Sequence, residues 1–360
     1  MGMSEVNEVI LHIGTPKTGT TALQYAFYSL REQLEAKGIC YPDLVGSGHG
    51  WTIERGMGSG NGNISALIDW KSADKIDRVR QLLNDAVTKC PASDRILISS
   101  EVISKCAGNE RFWQMLGDAK SAGSQKIKVV IYLRNPFPWF ITCYQQLVSC
   151  NGFSGDLDDS VAVFLESEND CSFNVQLNIK RISQCAEDYG IDLQLLQYEA
   201  ALPNLEQHFF KEVLDLDLVE FGFEPRVVNT SMNIMEVYFQ RGVNSVSTSL
   251  GSLLHFERVD SLLGANRRKL SFKEQKHVLS DSSRQALEKA FEQYRRDMAD
   301  IASFAENINY EIDHNSVLYS IDETEAKYRD QFFELGKFVA SSYVNGYINW
   351  DWKQKTGEIK

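Results

Sequence analysis

No stretch of the 360-residue sequence stays apolar for the roughly 20 residues that a membrane-spanning helix requires, so no membrane span is expected. Positive charge is also scarce: 37 Lys and Arg face 49 Asp and Glu, for a formal net charge of -12. Gripping a polyphosphate backbone needs a basic face, which excludes nucleic acid as a general partner. A small anion is not excluded, because a few converging cations suffice. The seven cysteines (Cys40, Cys90, Cys106, Cys143, Cys150, Cys171 and Cys185) form no C-x-x-C pair, and none has a histidine at zinc-finger spacing. That pattern predicts no structural metal and no disulfide framework, and points to a reducing compartment. The opening Met-Gly-Met-Ser-Glu-Val lacks the basic-then-apolar order of a leader, and Val6 stands where a myristoylation pattern wants Ser or Thr. The expectation is a cytoplasmic protein.

At 43% apolar and 24% charged, the composition is that of an ordinary folded protein. Val9-Ile10-Leu11-His12-Ile13 reads as a strand that stops at Gly14. Thr20 to Lys37 reads as a helix with Leu23, Phe27, Leu30 and Leu34 on one face. Residues 42–63 are Gly-rich and loop-like. Segments 95–100, 128–133 and 191–196 are apolar enough for strands of a parallel sheet. Strands alternating with helices over residues 8–200 predict an α/β fold, a parallel sheet flanked by helices. Residues 201–360 read as mostly helical additions, as in 281–304 and 323–344, with 1–360 forming a single domain. Charge is uneven there: Arg267, Arg268, Lys269, Lys273 and Lys276 crowd residues 264–276.

The most informative segment is Gly14-Thr15-Pro16-Lys17-Thr18-Gly19-Thr20-Thr21, between a strand and a helix. Amide N–H groups at a helix start point outward with partial positive charge and suit an anion. Gly19 permits close approach, Thr20 and Thr21 supply hydroxyls, and Lys17 adds full charge. The Walker A pattern is absent, because its Lys follows the second glycine whereas Lys17 precedes Gly19.

Pro-Lys-Thr-Gly-Thr-Thr-Ala-Leu resembles the 5′-phosphosulfate loop of the sulfotransferases that use 3′-phosphoadenylyl sulfate (PAPS). Its Ala-Leu ending is more similar to the carbohydrate-modifying, heparan-type branch and to bacterial relatives than to the cytosolic small-molecule branch. The family's second signature is a strand ending in Arg, with Ser eight residues on. Here strand 128–133 runs into Arg134-Asn135-Pro136, with Thr142 in the Ser position and Tyr144 matching the S-x-Y ending. The resemblance implies that Pro16 to Thr21 hold the 5′ side of PAPS and that Arg134 and Thr142 hold its 3′-phosphate. Tyr198, in Tyr198-Glu199, is similar to a residue that contacts adenine. Asn229-Thr230-Ser231-Met232 resembles a segment that precedes a helix in bacterial members. Arg267 and Arg268 correspond to a late basic loop that closes on the 3′-phosphate in some members.

Under this resemblance the reaction moves a sulfuryl group from PAPS to an acceptor hydroxyl, releasing the desulfated nucleotide PAP. Lys17 and the helix-start amides would stabilise the departing phosphate oxygen. The base is open between two residues: His49, in the Gly-rich loop with a pKa suited to the task, and Glu101, at the end of strand 96–100. The acceptor expected from the branch is a carbohydrate or glycolipid, and Trp51, Trp139, Tyr144 and Phe153 are aromatic faces of the kind that stack on sugar rings. Alternatives left standing are sulfation of a non-carbohydrate hydroxyl, a nucleotide-dependent kinase, and a PAPS-binding protein without catalysis.

Overall fold

Val9, Leu11 and Ile13 face one side of strand β1 (Glu8–Ile13) and Ile10 faces the other, and all four are buried. A strand apolar on both faces needs helices above and below. The computed structural model of the chain has that arrangement. The structure describes residues 6–44, 74–90, 93–101, 103–123, 126–150, 152–166, 175–225, 234–250, 276–313, 317–318, 326–327, 329–338 and 340–341.

Contacts gather the chain into two units. The first comprises Met1–Trp139, Leu165–Thr230 and Ala290–Tyr310; the second comprises Phe140–Phe164, Ser231–Lys289 and Glu311–Lys360. The first holds a five-stranded sheet of β1, β2 (Ile39–Cys40), β3 (Arg95–Ser100), β4 (Lys126–Leu133) and β5 (Asp192–Gln197). Its order is β2-β3-β1-β4-β5, with every neighbouring pair parallel. The helices, in chain order, are α1 (Thr20–Ser29), α2 (Arg31–Ala36), α3 (Lys75–Lys89), α4 (Ser104–Ala107), α5 (Glu110–Gly123), α6 (Pro136–Cys150), α7 (Leu157–Glu166), α8 (Ile179–Asp188), α9 (Tyr198–Ala201), α10 (Leu205–Leu214), α11 (Ile234–Leu250) and α12 (Asp281–Ala299).

Alternation along the strands sorts the core into two layers. Leu11, Ile98, Val129 and Ile131 pack with Val79, Trp113, Leu116 and Ile182 from α3, α5 and α8. Ile10, Leu97, Val130 and Tyr132 pack with Leu23 and Phe27 of α1, Leu34 of α2, and Phe209 and Phe210 of α10. The sheet is therefore the middle of a three-layer α/β sandwich. In the second unit, β6 (His277–Val278) and β7 (Val317–Leu318) form a short parallel pair. There α11 crosses the helical residues 329–338 at backbone contact: a Cβ on Gly242 would strike the Phe333 carbonyl, and one on Gly336 the Phe239 carbonyl. Among the described residues no helix is long and apolar enough to cross a membrane.

The four strands expected from the sequence are present, β3 with the expected bounds, β1 and β4 starting one and two residues earlier, and β5 displaced by one residue. The expected helix 20–37 is two helices, broken at Leu30, whose φ of -104° and ψ of 15° leave the helical range while Leu30 and Leu34 both stay buried. The largest departure concerns cysteine. Cys40 and Cys90 form a disulfide across a sequence separation of 50, with Cα atoms 6.1 Å apart. No local spacing announces this bridge. It arises because β2 pairs with β3 (Cys40 opposite Ile96), which brings the chain just ahead of β3 alongside Cys40.

Phe27 is fully buried, with ring centroids of Phe209, Tyr41 and Phe210 at 4.9, 5.6 and 6.0 Å. Truncation to Ala removes all three contacts and leaves a cavity between two helices and the sheet. Phe27→Ala is expected to lower unfolding free energy by about 3–5 kcal/mol, read by urea denaturation.

Candidate functional site

From β1 the chain moves towards β3 and β2 on one side of the sheet, while from β4 it moves to β5 on the other. At such a switch point the connections diverge and leave a crevice outside the carboxyl ends of the strands. Here the crevice lies between β1 and β4, so the residues that follow them, Gly14–Thr21 and Arg134-Asn135, form its rim.

The loop after β1 is braced from inside. Thr15 Oγ1 donates to the Tyr132 carbonyl at 2.8 Å, and Thr18 Oγ1 donates to the Thr15 carbonyl at 2.7 Å. The indole N–H of Trp139 donates to the Pro16 carbonyl at 2.8 Å. A Cβ on Gly14 would run into the Thr20 side chain, so only glycine lets the loop leave β1 this closely. Lys17 has a φ of 65°, a left-handed conformation uncommon for a residue with a Cβ, and Gly19 has a φ of 74°. Among the described residues, the amides of Gly19, Thr20 and Thr21 donate to no protein acceptor. The half-buried Lys17 and three amides without protein acceptors among the described residues thus share one turn.

Arg134 closes the rim from β4. Its Nη1 donates to the Lys17 carbonyl at 2.9 Å, its Nε lies 3.7 Å from Glu199 Oε1, and its guanidinium lies 5.1 Å from the Tyr198 ring centroid. Glu199 also accepts from the Asn135 amide at 3.0 Å, and Gln176 accepts from the Arg134 amide at 2.5 Å. Burial raises the Glu199 carboxyl above the usual range, opposed by the Asn135 amide and Arg134. A Cβ placed on Gly19 would lie 3.5 Å from Tyr198 Cε2, so the aromatic ring sits against the loop as well as under the guanidinium.

Glu101 follows the last residue of β3, and its carbonyl accepts from the Ser104 hydroxyl at the start of α4 at 2.6 Å. Burial pushes its carboxyl up to about 7, against the charge of Lys17 and the hydroxyl of Thr20, which both act to lower it. Those two opposing causes place the acid beside the loop's cation. Thr20 Oγ1 is buried and makes no hydrogen bond of full geometry. Beneath lies a further polar set: His12 Nδ1 and Ser99 Oγ are 2.8 Å apart, and Gln24 Nε2 donates to Ser99 Oγ at 3.2 Å. His12 is fully buried, and burial holds its imidazole down to about 3, so it is neutral at working pH.

The structure thus brings together Pro16, Lys17, Thr18, Gly19, Thr20, Thr21, Glu101, Arg134 and Tyr198 of the residues expected from the sequence. Thr142 lies half-buried on α6, within the second unit. His49, Arg267 and Arg268 fall outside the described residues, as do Trp51 and the segment 229–232. The idea of Trp139 and Tyr144 as sugar-stacking faces is corrected: they are 0% and 2% exposed, and the indole braces the loop. The bracing roles of Thr15, Gln176 and Glu199 were not read from the sequence, since their partners lie 42 to 117 residues away. No family model matches the chain, and no curated protein aligns with it significantly.

A carboxyl whose folded pKa is near 7 rather than the ordinary 4.5 binds its proton more tightly in the native state. Native stability from this group is therefore full below pH 4.5, falls as pH rises towards 7, and levels above it. Glu101→Gln is expected to remove that slope, so that the variant gains Tm relative to wild type between pH 5 and 8 in thermal scans (about those limits).

Proposed function

We propose that the chain is a sulfotransferase that moves a sulfuryl group from PAPS to an acceptor hydroxyl, with a carbohydrate or glycolipid as the acceptor class. The observation that carries this reading is the loop of Lys17, at a φ of 65°, whose charge acts on Glu101, a carboxyl that burial raises to about 7. A fixed cation and a base poised near neutrality, at the carboxyl edge of a parallel sheet, are the two groups that transfer to a hydroxyl requires. The sequence Pro16 to Leu23 and its spacing to Arg134 supply the choice of sulfuryl over other groups, and a sheet of order β2-β3-β1-β4-β5 accords with the nucleotide-binding fold that this likeness implies.

The residues of the rim fit an anionic donor. Amides without protein acceptors among the described residues and the Lys17 ammonium belong to one turn. PAPS supplies the sulfuryl group, whose bond to the 5′-phosphate oxygen breaks as the acceptor oxygen bonds to sulfur. Glu101, as carboxylate, takes the proton from the acceptor hydroxyl. Lys17 and the amides of Gly19 to Thr21 receive the charge that develops on the leaving phosphate oxygen. Arg134 orients this turn by holding the Lys17 carbonyl, and Tyr198 offers a ring face for a purine. The sequence likeness also assigns Thr142, Arg267 and Arg268 to the nucleotide, and His49 remains the second residue proposed for the proton.

Calorimetry tests the reading directly. PAP is expected to bind and to raise Tm by linkage, while Lys17→Ala is expected to cut turnover with PAPS by at least about two orders of magnitude with the fold retained. Absence of PAP binding alongside normal ATP binding would overturn it. Single-turnover rates for Glu101→Gln and His49→Ala at saturating PAPS decide which residue takes the proton.

A further inference from the structure

Within the second unit, Tyr238 on α11 has two guanidinium groups in range of its ring, Arg241 at 4.9 Å and Arg329 at 5.4 Å from the centroid. Arg329 is 2% exposed and engaged, its Nη2 donating to the Lys276 carbonyl at 2.8 Å and its Nη1 to the Tyr238 hydroxyl at 3.3 Å. Next to Lys276 in sequence, His277 is buried, and after burial itself the charges of Arg329 and Arg241 are what hold its imidazole neutral. Tyr144 stands edge-on to that imidazole at 5.3 Å.

Arg241 is the unusual member. It is half-buried, its Nε donates to the Ser154 carbonyl at 3.1 Å, and its guanidinium also lies 5.6 Å from the Phe333 centroid. Backbone carbonyl and two rings hold the plane of the group, yet among the described residues Nη1 and Nη2 meet no acceptor and no carboxylate pairs with it. The acids that act on this cluster through Tyr144, Asp156 and Asp159, are bonded to each other's amides at 2.9 Å. A guanidinium beside a second cation and partly out of water is unfavourable without a counter-charge, and aromatic faces offset only part of that.

We infer that Arg241 is the anchor of an oxyanion-binding site in the second unit, presenting its two Nη groups to a sulfate, phosphate or carboxylate group of a small molecule or sugar. The fork geometry matches two oxygens on one edge of such an anion. The inference stands apart from the loop at Lys17, and the test separates them. Inorganic sulfate is titrated calorimetrically into the full chain carrying Lys17→Ala, at ionic strength fixed with sodium chloride, and glucuronate is titrated in parallel. One saturable site is expected for at least one of the two ions, and the tighter of them names the ligand class. Adding Arg241→Gln is expected to abolish it, and Arg241→Lys, which keeps charge but loses the fork, to weaken it about tenfold. No saturable binding in the Lys17→Ala chain, or binding unchanged by Arg241→Lys, overturns the proposal, and the lysine variant carries the test should the glutamine variant fail to fold.

Discussion

The hydrogen bond from Arg134 Nη1 to the Lys17 carbonyl is the tie on which the rim of the sheet depends. A lysine in left-handed backbone conformation is disfavoured by roughly 1–2 kcal/mol, and it persists only where its surroundings over-determine it. Arg134 is itself fixed by Glu199 and by the Tyr198 face, and Glu199 is fixed by the Asn135 amide. The end of β4, the start of α9 and the loop after β1 are thereby cross-braced at one point. An arginine suits this post because its planar, charged fork can satisfy a carbonyl and a carboxylate together while stacking on a ring.

What the sequence made legible follows from the distance over which each signal acts. β1, β3 and β4 could be read because central parallel strands are apolar on both faces, a property visible within six to eight residues, while β5, at the sheet edge, showed only through its three leucines. Lys17 and Gly19 could be read because loop, strand and helix are contiguous. β2 could not: two residues carry no period, and it exists only through its pairing with β3. The Cys40–Cys90 bridge and the Trp139 brace were hidden for the same reason, since nothing local marks residues that meet through the sheet. Aromatic residues near a proposed sugar site suggested recognition surfaces, whereas burial assigned two of them to packing.

Beneath the rim, His12, Ser99, Gln24 and Thr20 put polar groups into a layer built mainly of Leu, Phe, Ile, Val and Tyr. His12 Nε2 and Gln24 Oε1 are buried without a partner among the described residues, a cost that apolar residues at these positions would not carry. Their location is informative, because Thr20 and Gln24 lie one turn apart on α1 and Ser99 lies two residues ahead of Glu101. The set joins the first turn of α1 to the end of β3, so the acid and the cation that act on each other are carried by elements whose register is fixed from below.

The disulfide changes how the chain is connected, whatever it contributes to folding. Covalently the protein is a ring with two tails: residues 40 to 90 close the ring, the N-terminal tail carries Lys17, and the C-terminal tail carries Glu101 and Arg134. The bonds from Arg134 to the Lys17 carbonyl, from Trp139 to the Pro16 carbonyl and from Thr15 to the Tyr132 carbonyl are therefore made between the two tails, whereas Arg134 meets Glu199 and Gln176 within one. Of the residues considered for the proton, one, His49, belongs to the ring and the other to a tail, so a single cut within the ring would leave both tails bonded to each other. The parts of the molecule that grip the loop are linked through sulfur as well as through the peptide chain.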